Sequence, residues 1–181
     1  MNTYTLSLLI ALPLLAAFLI ILLPKTYQKS FKWISVIALA LNFLSLVNLY
    51  TGFDPQVSTY QWVEEYPWIF LTLSSSESLL IKYALGMDGL NFPMVLLASG
   101  VLLIGVISSF SIQKKERMYY FLFLVLAASI MGCFLAIDFF LFFLFFEFML
   151  LPMYFLIAIW GGENRTYASI KFFLYTLVGS I

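Results

Sequence analysis

The chain has 181 residues, 64% of them hydrophobic and only 10% charged, with a mean hydropathy of +1.04 and no net charge. A soluble domain is roughly half apolar with about a quarter of its residues charged, so this composition specifies a polytopic membrane protein and offers no basic surface for nucleic acid. With no histidine and one cysteine, Cys133, the chain lacks the ligand set of a haem, an iron–sulfur cluster or a structural zinc, and it carries no glycine-rich nucleotide-binding motif.

Hydrophobic runs mark an all-α architecture with spans at about 4–23, 33–50, 90–110, 118–137, 139–160 and 166–181. Each of the first five is near the ~20 residues that a spanning helix needs. The sixth, "TYASIKFFLYTLVGSI", covers only about 24 Å at ~1.5 Å per residue. It stops at Ile181 with no polar flank, which reads as the N-terminal piece of a longer protein. The first run is not an ordinary signal peptide, because "MNTYT" carries no positive charge and the basic cluster "PKTYQKSFK" follows the run.

Between spans two and three lies a long segment, 51–89. In it "QWVEEYPWIFLTL" and "SLLIKYALG" flank the polar turn "SSSES", the pattern of a β-hairpin at the membrane surface. Trp62, Tyr66 and Trp68 suit that interface. Next, "GMDGLNFP" reads as the entry to span three, with Asp88 or Asn91 as the cap and Pro93 in the first turn. Cys133 lies in the apolar run of span four and reads as an inert buried thiol.

The loop charges are segregated. Lys25, Lys29, Lys32, Lys114, Lys115, Arg117 and Arg165 fall on one side. The other side has Lys82 with Asp54, Glu64, Glu65, Glu77, Asp88 and Asp138. The positive-inside rule places the basic loops in the cytoplasm of a cell with this chain in its inner membrane. The N-terminus and the 51–89 loop are then outside.

Of 18 charged residues, only Glu147 and Lys171 fall inside spans. An intramembrane charge costs a few kcal/mol at least and typically faces a bundle interior or a water-filled path. Glu147 lies ~13 Å from Asp138 and ~20 Å from Trp160 along the axis, near mid-membrane. Pro152, five residues on, has no N–H, so the Phe148 carbonyl loses its helical partner. Together they form a polar spot with a softened backbone that can kink the helix. The carboxyl is then either a proton-transport group or a neutral structural glutamate bonded to a neighbouring helix. Lys171 sits ~9 Å inside the basic end. It either snorkels to the headgroups or takes a buried role. Its depth differs from that of Glu147 by about 11 Å, too far for an ion pair.

The stretches "FFEFMLLPMYFLIAIWGGENRTYASIKFFLYTLVGS" and "LGMDGLNFPMVLL" resemble the subunit M, or chain 4, family of the proton-pumping NADH–quinone oxidoreductases (respiratory complex I). That resemblance implies a truncated portion of a 14-helix antiporter-like subunit with two inverted five-helix repeats, each holding a broken helix. It implies that Glu147 is a proton-channel residue working with a lysine of a seventh helix outside this sequence. Lys171 matches a sixth-helix lysine near that network. NADH, flavin, iron–sulfur clusters and quinone would belong to other subunits, so this chain binds no cofactor and is inactive alone. Its partners would be neighbouring antiporter-like membrane subunits, the lipid bilayer and protons. The alternatives are a subunit of a multisubunit sodium/proton antiporter and a passive membrane scaffold.

Overall fold

In a computed structural model the described residues are 4–24, 28–57, 59–72 and 78–180. Lys25, the turn at 74–77 and Ile181 lie outside them. Six helices follow the hydrophobic runs: α1 (Thr5–Leu22), α2 (Gln28–Tyr50), α3 (Asn91–Ser108), α4 (Glu116–Leu135), α5 (Phe139–Trp160) and α6 (Arg165–Ser180). The first five are long and apolar enough to cross a membrane. Helix α2 begins earlier than the apolar run at 33, because hydropathy marks the part that fits in lipid and not where helical hydrogen bonding starts.

The expected hairpin is present. Strand β1 (Gln61–Thr72) pairs antiparallel with β2 (Ser78–Met87). The register slips between Gln61 and Glu64 and again between Pro67 and Ile69. A proline inside a strand is tolerated at such a bulge because no ladder N–H is required of it. Trp62, at the first slip, sits at φ 51°, a left-handed conformation uncommon for a non-glycine residue.

The core lies among α1 to α4, where Leu6, Ile20, Phe31, Leu46, Val95, Val106, Tyr120, Leu124 and Leu135 are buried. Helix α4 is its centre, packed on α1, α3 and α5. At Gly132 a Cβ would stand 2.5 Å from the Phe145 ring, so α4 and α5 approach closely because the residue there has no side chain.

The hairpin closes one end of the bundle. Glu64 is buried, with 4% exposure. Its Oε1 accepts from the Leu6 N–H (2.7 Å) and its Oε2 from the Ser7 N–H (3.0 Å). The Ser7 hydroxyl also donates to Oε2. A strand residue thus caps the first turn of α1, where the helix itself leaves N–H groups without partners. The Tyr83 hydroxyl lies 3.0 Å from Ser7 Oγ, and burial raises the Tyr83 pKa above its ordinary value. Beyond it, the Ile137 N–H bonds the Ala84 carbonyl at 2.9 Å, tying β2 to the α4–α5 corner.

The entry to α3 follows the expected signal. Asp88 Oδ1 accepts from the Asn91 N–H, and Asn91 Oδ1 accepts from the Asp88 N–H. This is the reciprocal exchange of a capping box. Asp138 caps α5 in turn, accepting from Phe140 and Leu141.

At the opposite end the basic residues meet helix C-termini. Arg117 Nε donates to the Ile20 carbonyl of α1 at 3.0 Å. Lys32 Nζ donates to the Phe110 carbonyl, just past α3, at 2.9 Å; separately, the neutral Trp160 indole Nε1 donates to the Lys114 carbonyl in the loop before α4 at 2.8 Å. A cation at a helix C-terminus satisfies orphan carbonyls and complements the dipole.

Candidate functional site

Helix α5 carries Glu147 at half-burial on the side that meets α6. The two helices pack through Tyr154 and Phe173, whose rings meet edge-on at 5.6 Å. Pro152 is buried and does not end the helix, which runs from Phe139 to Trp160 without a break. The expected kink is therefore not a helix break; the proline lowers the number of backbone bonds and leaves the helix whole.

Ser180 of α6 meets Glu147. Its Oγ stands 2.5 Å from Glu147 Oε1 and 3.0 Å from the Leu177 carbonyl. A serine hydroxyl has one proton and two lone pairs. It can give that proton to a carboxylate. Alternatively it can give it to the Leu177 carbonyl and accept a proton-bearing hydrogen bond from a neutral carboxyl. The pair is thus satisfied in either protonation state without movement of the backbone.

Two grooves flank the contact. One, of about 420 Å³, is lined by Phe140, Leu144, Glu147, Phe148, Phe173 and Leu177 among others. A second, of about 440 Å³, is lined by Phe142, Phe146, Tyr175, Thr176 and Ser180 among others. Their walls are almost wholly apolar, so the Glu147–Ser180 pair is a polar bridge between two oily faces.

Lys171 is not part of this contact. It is exposed, with its ammonium 5.5 Å from the Tyr167 ring centre and 5.7 Å from the Tyr175 ring centre. Those residues are one turn before and after it, and both distances are within cation–π range of ~6 Å. Nine residues separate Lys171 from Ser180, about two and a half helical turns, so the two lie on opposite faces of α6. The structure therefore does not bring the two intramembrane charges together, in agreement with the depth difference read from spacing.

One buried polar contact inside the spans escaped a search confined to charges. Pro13 sits inside α1, so the Leu9 carbonyl lacks its N–H partner. Asn42 of α2, 1% exposed, donates to that carbonyl from Nδ2 at 2.8 Å. The signal was present: a proline in one span and an asparagine in the next. Asn42 Oδ1 is buried and, among the described residues, has no hydrogen-bond partner.

The family described as NADH:quinone oxidoreductase/Mrp antiporter, TM, matches residues 136–181, which hold Glu147, Lys171 and Ser180. NAD(P)H-quinone oxidoreductase chain 4 3 of Picosynechococcus is 39% identical over 97% of this chain and 31% of its own length. NADH-quinone oxidoreductase subunit M of Rickettsia prowazekii is 37% identical over 97% of this chain and 35% of its own. The chain is similar to the subunit M, or chain 4, proteins along nearly its whole length. It spans about a third of the length of these relatives. A chain of respiratory complex I from Thermus thermophilus superposes with a TM-score of 0.71 at 28% identity, over 97% of this chain and 33% of that one. A chain of the archaeal membrane-bound sulfane sulfur reductase shares the fold, with a TM-score of 0.72 at 22% identity, over 97% of this chain and 26% of that one. These relatives are named as oxidoreductase subunits, whereas the family description covers both oxidoreductases and Mrp antiporters.

Proposed function

We propose that this chain supplies part of a proton path in the membrane arm of a proton-translocating NADH–quinone oxidoreductase, with Glu147 as the group that takes up and releases the proton. One observation carries the reading: a carboxyl in the middle of a spanning helix holds a hydroxyl partner that serves it both charged and neutral. Such a group exchanges a proton at low reorganisation cost, whereas a purely structural acid has no need of a reversible partner. Lys171 acts from a distance in this scheme, through the field of its ammonium. Electron transfer from NADH through flavin and iron–sulfur clusters to quinone belongs to other subunits of the assembly, which are this chain's partners together with the neighbouring antiporter-like subunits.

The test uses the assembled complex. Glu147→Gln keeps the shape and one acceptor but cannot carry a proton. Glu147→Asp keeps the acid and shortens its reach. With assembly verified, Gln abolishes or severely lowers pumping per quinone reduced, and Asp retains part of it. A passive scaffold gives the reverse ranking, and wild-type pumping by the Gln variant would refute the carrier role.

The proposed orientation has the N-terminus and the hairpin outside and the inner-membrane leaflet facing the cytoplasm at Lys114–Arg117. The charge asymmetry supports it, and it is sharpened by the Lys82–Glu65 ion pair at 2.5 Å, which offsets the basic residue on the acidic side. Reporter fusions at Gln113 check it: activity there of a reporter that works only outside would overturn the map.

A further inference from the structure

We propose that the basic end of the bundle holds a site for one anionic phospholipid, in the cavity between α1, α2 and the start of α4. This inference is independent of the proton path. The cavity has a volume of about 510 Å³. Its floor is apolar, made by Ile21, Phe31, Met118 and Phe121. Its mouth is polar, made by Gln113, Lys115, Glu116 and Arg117. The division follows the chain: the floor residues belong to the last turn of α1 and the first turns of α2 and α4, and the mouth lies where the helices leave the apolar layer.

Charge selects the ligand. Glu116 faces Lys32 at 3.8 Å, so its carboxylate is matched by a cation outside the cavity wall. Lys115 and Arg117 are then left in excess at the mouth. Arg117 is held in place by its Nε bond to the Ile20 carbonyl, which spends one donor of a five-donor guanidinium. Lys115 is exposed and takes the left-handed conformation at φ 51°, uncommon for a side chain with a Cβ and found most often where function holds it.

A small free anion would find the two cations but leave the apolar floor wet. A zwitterionic lipid would fill the floor but bring a cation to a cationic mouth. A glycerophospholipid with a net negative headgroup satisfies both, its phosphate between Lys115 and Arg117 and an acyl chain along Phe31 and Phe121. Basic pockets between helices at the cytoplasmic side bind such headgroups.

The full chain, purified in mild detergent, is titrated with phosphatidylglycerol and with phosphatidylcholine, and bound lipid is counted by native mass spectrometry. One phosphatidylglycerol binds roughly tenfold or more tightly than phosphatidylcholine, as two excess cations near the surface predict. Lys115→Gln, at an exposed position outside the core, lowers that preference about fivefold, the share of one cation. Lys114→Gln, whose side chain is not in the cavity wall, leaves it unchanged. Equal binding of the two lipids overturns the proposal, as does an equal loss in the two lysine variants. Displacement of the lipid by millimolar inorganic phosphate would replace the lipid site by a free-anion site.

Discussion

Replacing Glu64 tests how the hairpin and the bundle depend on one another. The carboxylate accepts from Leu6 N–H, Ser7 N–H and the Ser7 hydroxyl, and 4% of the residue is exposed. Removing an N-cap acceptor costs about 1–2 kcal/mol. A partly buried negative charge at a helix N-terminus adds up to ~2 kcal/mol. The terms overlap, because both describe one carboxylate meeting the same N–H groups. Glu64→Ala is therefore expected to destabilise by about 2–3 kcal/mol, leaving donors buried without partners. Glu64→Gln loses less, since one oxygen still accepts from Leu6 while its amide N–H₂ faces the Ser7 donors. Hydrogen exchange of the first turn of α1 reads this directly: local opening there accelerates by more than about tenfold in the Ala variant, each ~1.4 kcal/mol being a factor of ten. An unfolding midpoint in detergent read on the same samples falls in the order wild type, Gln, Ala. Exchange at Leu6 and Ser7 unchanged in Glu64→Ala would refute the trans-capping argument.

Two further substitutions probe the spans. Asn42→Leu removes the donor to the Leu9 carbonyl together with the unpartnered Oδ1; the two effects oppose, so stability shifts by less than about 1.5 kcal/mol, whereas Asn42→Asp, which replaces the donor with an acceptor, destabilises by more and lowers the unfolding midpoint in detergent. Ser180→Ala leaves Glu147 without its hydroxyl partner and slows pumping by the complex without lowering its assembly. Ser180→Thr retains the hydroxyl and most of the rate, and equal rates in the Ala and Thr variants would remove Ser180 from the path.

The helices were legible because each carries close to the number of apolar residues that crosses a bilayer, and lipid allows few other structures. The α3 entry was legible too, because Asp88 and Asn91 stand three apart at a helix start, the spacing that reciprocal capping requires. The hairpin's existence could be read from the two stretches that flank the polar turn "SSSES", but its attachment could not. Glu64 read as one more loop carboxylate on the acidic side. Its burial depends on the bulge between Gln61 and Glu64, which resets which side chains face the bundle, and a bulge leaves no mark in hydropathy. The same limit applies to Arg117 and Lys32. Counting charges grouped them at one end of the bundle, while their use as C-terminal caps depends on how α1, α2 and α4 converge.

The two prolines show why a charge-based reading found one polar site and missed the other. Each removes an N–H from a spanning helix and strands the carbonyl four residues earlier. At Pro13 the carbonyl of Leu9 receives Asn42 from the neighbouring helix. That contact lies in the packed α1–α2 seam, where a neutral amide stays buried at small cost once bonded. Near Pro152 the polar group is Glu147, five residues earlier on the half-buried α5, and its hydrogen-bond partner is Ser180 of α6 rather than the stranded carbonyl. The sequence marks both helices with the same breaker. What differs is the packing around each: the Asn42 amide is sealed in the α1–α2 seam, whereas Glu147 is half-buried where α5 meets α6, with the Ser180 hydroxyl as its partner.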